Sequence, residues 1–287
     1  MKTLKYFFQY ILIKIFFYIF KILGYKNASN FGAFIGLSIG PFLKSKKIIK
    51  SNLKNFSKNI DDITIDKISK KMWENYGRIF AEYIFLKDFR SEILSKHIQI
   101  SGIENLIDIK KKNKPVIFVS GHFSNFELMA MQIEKSGVNL AAIYRPLNNF
   151  FLNKTMEKIR ENYICKNQVK KGISGVKEIL KFFKENISIA LMIDQRVTEG
   201  IESKFFNKEA YTTTIPAQLI KKFNCPVVNV YIERKDKINF EMTVDKPIYF
   251  DSHESIESIT LHLNKCLEKM IAKNPDQWIW THNRWKL

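Results

Sequence analysis

The run Val116-Ile117-Phe118-Val119 constrains this chain more than any other stretch. Its residues are all apolar and three are β-branched, so a strand made from them needs cover on both faces. The run ends at Ser120-Gly121 and passes into a helical pattern through Leu128, Met129, Met131 and Ile133. Strand followed by helix is half of a βα unit, and the alternation recurs. Strands are expected at 98–102, 138–144, 187–193, 227–232 and 238–244. Helices are expected at 64–89, 104–112, 150–163, 174–183, 215–223 and 255–273. This order predicts an α/β fold with a mixed, mostly parallel sheet flanked by helices, and with an N-terminal membrane-associated helical segment.

That segment reads separately. Residues 6–25 are almost wholly apolar and aromatic, interrupted by Gln9, Lys14 and Lys21. A central lysine costs about 2.5–3.5 kcal/mol on insertion scales. The run is therefore either a tilted span or a helix lying in the interface. Residues 27–29 lack a small-x-small cleavage site, which argues against a cleaved signal peptide. Gly32, Gly36 and Gly40 recur every fourth residue and offer a face for close packing back on the first helix. Pro41 is expected to end that element. The basic stretch 44–58 suits anionic headgroups or a solvated surface equally. The expected division is a hydrophobic membrane anchor or helical hairpin over 1–43 and a catalytic domain over 44–287.

Composition narrows the partners. A formal charge of +19 accompanies 46% hydrophobic and 14% aromatic residues, a combination that suits an anionic membrane. Nearly all of the positive charge is lysine, whereas nucleic-acid readers favour arginine, so no nucleic acid is expected. The three cysteines, Cys165, Cys225 and Cys266, form no framework and suit a reducing compartment. The five histidines form no metal motif.

In open α/β sheets ligands bind beyond the carboxyl ends of strands. His122 and Glu127 lie at such an end. On one continuous helix they would stand about 140° apart, so they meet only if His122 is in the loop and Glu127 in the first helical turn. Ser124-x-x-Glu127 also fits a capping box, in which Glu127 merely caps the helix. In the functional reading His122 is a general base that Glu127 orients. No Gly-x-Ser-x-Gly is present, so a substrate hydroxyl would be the attacking group. Arg145, at another strand end, is placed to bind a phosphate or carboxylate or to pair with a surface acid. Asp194 and Gln195, at a third, would orient sugar hydroxyls, reinforce the histidine or cap a turn. Trp278, Trp280 and Trp285 suit a membrane interface, a pocket rim or simple packing.

The string Gly121-His122-Phe123-Ser124-Asn125-Phe126-Glu127 resembles the His-x4-acid motif of the bacterial lipid A late acyltransferases. Tyr144-Arg145-Pro146 through Asn149, Asp194-Gln195, Phe205-Phe206-Asn207 and Gln277-Trp278-x-Trp280 with Arg284-Trp285-Lys286 are similar to further segments of that family. Asn207 stands where the family has Gly, and Phe126 where it often has Trp. The resemblance implies an O-acyltransferase with His122 and Glu127 catalytic, and with Arg145, Asn149, Asp194 and Gln195 binding substrate. It implies acyl-carrier protein as donor, a lipid A precursor as acceptor, and neither metal nor cofactor. It places the catalytic domain at the cytoplasmic face of the inner membrane. Transfer to another lipid (a glycerolipid, a phosphoinositide mannoside or an amino-acid lipid) and a non-catalytic basic membrane-surface protein are the alternatives.

Overall fold

The computed structural model describes residues 2–286. The chain opens with α1 (Lys2–Leu43), α2 (Lys46–Phe56), α3 (Asp62–Glu82), α4 (Leu86–Arg90) and α5 (Glu92–Ser95). Next come β1 (Ile98–Ser101), α6 (Ile103–Lys112), β2 (Ile117–Ser120), α7 (Glu127–Lys135), β3 (Leu140–Tyr144) and α8 (Phe150–Tyr163). They are followed by β4 (Asn167–Lys170), α9 (Ile173–Lys184), β5 (Ser188–Met192), β6 (Ile201–Phe205) and β7 (Lys208–Thr212). The last elements are α10 (Ile215–Phe223), β8 (Val227–Lys235), β9 (Asn239–Val244) and α11 (Ile256–Lys273).

Seven strands form one sheet in the order β1-β9-β8-β2-β5-β3-β4. Only β8 and β9 run antiparallel, so the sheet is mixed and mostly parallel, as the alternating runs predict. The most apolar runs lie at its centre: every residue of β2 is buried, as are the first seven of β8. Two features carry weaker signals. Edge strand β4 buries only Val169 and has no apolar run. The hairpin β6–β7 turns on Phe206 (φ 50°) and Asn207 (φ 60°). Two left-handed residues match the twist of a two-residue hairpin, and Asn tolerates that backbone.

Helix α1 is broken at Gly24, whose φ of 70° and ψ of 164° exclude side chains. Its second half packs on α3, not on its own first half as the glycine spacing suggests. A Cβ on Gly32 would stand 2.3 Å from the Gly77 carbonyl oxygen, and one on Gly36 would stand 2.1 Å from that of Trp73. Gly77 on α3 completes the small face, which is why the two backbones approach so closely. Pro41 sits inside the last turn and does not stop the helix, which runs on to Leu43. The first half lays Phe16, Phe17 and Phe20 around Phe80 of α3. Phe17, Phe20, Tyr25 and Ala28 thereby join the hydrophobic core that the sheet shares.

Candidate active site

The register of the sheet assembles the site. Ser120 at the end of β2 pairs with Met192 at the end of β5. His122 and Asp194 each follow two residues later, so they arrive side by side beyond the carboxyl edge. His122 Nδ1 lies 2.8 Å from Asp194 Oδ1, and the His122 backbone N–H donates to Asp194 Oδ2 at 2.8 Å. Trp278 Nε1 donates to the same Oδ2 at 2.9 Å. A carboxylate at Nδ1 holds the ring proton there and leaves the Nε2 lone pair free. Among the described residues Nε2 has no partner, and the ring lines a cavity of about 420 Å³. Burial pushes the imidazole pKa down, but the Asp194 charge and hydrogen bond outweigh it, and His122 titrates above the ordinary histidine range. Burial pushes the Asp194 carboxyl up, and the His122 charge with the hydrogen bonds from His122 and Trp278 brings it below the usual range.

The cavity runs from this edge over the sheet face that carries Phe118, Ser120, Ala142, Ala190 and Met192. Met129, Ala130 and Ile133 of α7 cover it. Ala130, Ala142 and Ala190 present only methyl groups there, which leaves volume that larger side chains would occupy. The result is a mostly apolar slot with His122 and a few charged groups at one end.

The expected contact between Glu127 and His122 is not made. Glu127 Oε1 accepts from Arg160 Nε at 2.9 Å and from an Arg160 terminal nitrogen at 2.5 Å. The reason lies in the connecting loop. Ser124 has φ of 43°, and helix α7 starts only at Glu127 after Phe126 as N-cap. The left-handed residue turns His122 toward β5, and Glu127 faces α8. The capping box also fails, because Ser124 Oγ is buried without a hydrogen-bond partner. Arg160 stacks over the Tyr144 ring at 5.4 Å, and the Glu127–Arg160 pair lines the cavity beside His122. Burial pushes the Arg160 pKa down, but Glu127 outweighs it and the net shift is upward.

Asn149 is committed elsewhere too. Its side-chain oxygen caps α8 by accepting from Phe151 N and Leu152 N, and its amide donates to the Tyr6 carbonyl at 2.9 Å and to Gln9 Oε1 at 3.3 Å. Every polar atom of this buried side chain is used internally, so it offers substrate nothing. Asp194 is likewise spent on His122 and Trp278 and has no free face for a sugar hydroxyl. Arg145 and Gln195 do line the cavity. Lys171 joins them. Tyr144 pairs with Lys170, so Arg145 and Lys171 are the next residues on adjacent strands. Neither side chain forms an ion pair or hydrogen bond among the described residues. Partial burial pushes the Lys171 ammonium down; nearby Glu199 opposes this and Arg145 reinforces it.

Distant parts of the chain fix the histidine loop. Ser124 N donates to the Gln277 carbonyl at 3.0 Å, and Phe123 bridges to Trp278. Asn125 Nδ2 donates to Glu82 Oε2 at 3.0 Å. Glu82 is fully buried and receives both terminal nitrogens of Arg234, at 2.5 and 2.9 Å, as well as Ser29 Oγ at 2.8 Å. Apart from the Trp278 hydrogen bond to Asp194, the carboxyl-terminal tryptophans serve packing: Trp278 and Trp280 are buried, and Trp285 Nε1 donates to the Phe205 carbonyl at 2.9 Å. Among the described residues, no group of three or more His, Cys, Asp or Glu side chains is placed to hold a metal ion.

Comparisons with known proteins show the family. Residues 1–287 match the family model described as bacterial lipid A biosynthesis acyltransferase. The lipid A biosynthesis lauroyltransferase of Escherichia coli (strain K12) is 23% identical over 252 residues, covering 85% of this chain and 80% of the relative. The lipid A biosynthesis palmitoleoyltransferase of the same organism is 23% identical over 263 residues, covering 89% and 83%. Among solved structures, the 1-acyl-sn-glycerophosphate acyltransferase of Thermotoga maritima is similar at 13% identity and a TM-score of 0.43, over 96% of this chain and 99% of that one.

Proposed function

Because the chain belongs to the bacterial lipid A biosynthesis acyltransferase family, we propose that it moves a fatty acyl chain from acyl-carrier protein to a hydroxyl of a lipid A precursor, a late acylation in lipopolysaccharide assembly. The observation that carries this reading is the His122 ring, held at Nδ1 by a buried carboxylate and presenting Nε2 to an apolar cavity. His122 Nε2 takes the proton of the acceptor hydroxyl as its oxygen attacks the thioester carbonyl. The tetrahedral adduct collapses, the C–S bond breaks, and the thiolate takes the proton back from Nε2. The ester and the free thiol of the carrier leave. No side-chain nucleophile is acylated.

Asp194 keeps the proton on Nδ1 and stabilises the imidazolium that forms during attack. Glu127 contributes its charge to the same cation and holds Arg160 at the cavity wall. Arg145 and Lys171, two adjacent cations that form no ion pair among the described residues, suit an anionic group on the acceptor or on the carrier's prosthetic arm. The alanine-lined slot suits the acyl chain. Acyl-carrier protein is acidic, so a chain of formal charge +19 favours its docking. Such a donor is cytoplasmic, which puts the site on the cytoplasmic side of the inner membrane.

Mass spectrometry of lipid A from cells with and without the chain tests the proposal. Loss of one acyl unit from lipid A on deletion, restored by the native chain and not by His122→Ala, is the expected result. An unchanged lipid A accompanied by one missing acyl group on a glycerolipid or amino-acid lipid would move the same chemistry to that acceptor.

A further inference from the structure

Helix α1 is long and apolar enough to cross a bilayer, but its contacts point to another arrangement. The half before Gly24 holds about 22 residues, roughly 33 Å at 1.5 Å per residue, close to the roughly 30 Å of a hydrocarbon core. A spanning helix would carry Tyr6 and Lys2 to the far side of the membrane. Both ends of this half instead touch the same folded unit. Near its start, Tyr6 packs on Phe150 with ring centroids 6.4 Å apart, and Phe7 and Tyr10 pack on Phe151 at 5.7 and 5.9 Å. Near its end, Phe17 and Phe20 pack on Phe80 at 5.7 and 5.5 Å. The Asn149 amide ties the Tyr6 carbonyl and Gln9 to the start of α8. Spanning would break the contacts of Tyr6, Phe7 and Tyr10 together and leave the Asn149 amide without its Tyr6 and Gln9 acceptors.

The opposite face is unpartnered and apolar. Leu4, Phe8, Ile11, Ile15, Tyr18 and Ile22 are all exposed, Phe8 and Ile22 at 63% and 69%. By the helical repeat they fall on one side, about 180° from the inward Tyr6, Ile13, Phe17 and Phe20. Lys14 and Lys21 share one flank and Lys5 lies toward the other, where each ammonium reaches headgroups while its stem stays in apolar surroundings. After the break at Gly24, Phe34, Leu37 and Phe42 are exposed apolar residues as well, and their half is clamped on α3 through Gly32 and Gly36. An outward apolar face flanked by lysines, on a helix fastened along its length, fits the interface of an anionic leaflet.

We infer that both halves of α1 lie in the plane of one leaflet of an anionic bilayer and do not cross it. Asn149 then has a second consequence. It is the residue after Arg145 to Asn148, which line the mouth of the cavity, and it ties that mouth to the membrane-lying helix. Exposed Leu147 and Phe150 sit at the junction. Resting on the acyl-transfer reading, a lipid acceptor passes from the leaflet to His122 along this junction without leaving the membrane.

The test uses full-length chain in a Cys266→Ser background, added to sealed vesicles of phosphatidylglycerol and phosphatidylethanolamine and probed with a membrane-impermeant maleimide. Thr3→Cys should label from outside as readily as Lys58→Cys, and Ile15→Cys should be protected by the vesicles. Labelling of Thr3→Cys only after detergent would mean that α1 spans and would overturn the inference. Labelling of Ile15→Cys at the same rate with and without vesicles would overturn it as well. Neither readout depends on turnover. Acyl transfer measured on the same samples therefore separates failure of the flat helix from failure of the enzymatic proposal.

Discussion

Asp194→Asn is the sharpest perturbation because the new side chain is nearly isosteric and its hydrogen-bond pattern is wrong. Asp194 Oδ2 receives two donors, His122 N–H and Trp278 Nε1–H, and Oδ1 receives the ring Nδ1–H. An asparagine has one acceptor atom for these three donors. If its oxygen faces Nδ1, its amide hydrogens meet two donors head-on. If it flips, the amide donates to Nδ1, the ring proton moves to Nε2, and no base faces the cavity. In the first geometry the imidazolium still loses a hydrogen bond to a charged group, about 1.5–3 kcal/mol. At 1.36 kcal/mol per decade, kcat falls by about 13- to 160-fold. The flipped amide would make the fall larger. The pH profile separates this from a structural effect. His122 must be neutral to accept a proton, and Asp194 raises its pKa, so native kcat/KM rises with pH through a value above about 6.5. Without the carboxylate that acid limb moves to lower pH. The assay is transfer of a radiolabelled acyl chain from its carrier to lipid across pH 5–9, with circular dichroism to confirm folding. A folded Asp194→Asn enzyme with native kcat and an unmoved acid limb would refute the role given to this residue.

Other perturbations read other parts of the account. Glu127→Gln leaves Arg160 without its charge partner beside His122, so kcat should fall more than KM rises, with the acid limb again lower; a change in KM alone would contradict this. The double variant Arg145→Gln/Lys171→Gln should raise KM for the anionic substrate by 10-fold or more with a smaller change in kcat, measured by steady-state kinetics at fixed salt. Glu82→Gln strands the buried Arg234 guanidinium, and breaking such a pair costs about 3–5 kcal/mol; thermal denaturation should show a clear drop in Tm, with Asn125 and the histidine loop losing protection in hydrogen exchange.

Much of this fold is legible because the central strands are continuous apolar runs that nothing else explains. Val116 to Val119 and the run into Ile193 announce β2 and β5, and the helices between them carry clear periodicity. Edge strand β4 escapes because an edge needs little apolar surface, and Lys171 is hidden with it. His122 is legible from its place after a buried strand. Its carboxylate partner is not, because spacing along the chain favours Glu127, whereas the pairing of Ser120 with Met192 selects Asp194. Trp278 is visible as a tryptophan in a basic tail, a context that suggests a membrane as readily as a core. Only its indole N–H on Asp194 shows that it holds the acid. The glycine face of α1 is visible as well, but a face does not name its partner, and Gly77 lies on another helix.

The most direct measurement is single-turnover acyl transfer with purified full-length chain, acyl-carrier protein loaded with a labelled fatty acid, and a Kdo-bearing lipid A precursor in mixed vesicles. The account predicts a product heavier by one acyl unit, formed at the native rate by the native chain and lost with His122→Ala at unchanged fold. Equal rates for the two proteins, or label that never reaches any lipid hydroxyl, would contradict the claim that this imidazole is the base.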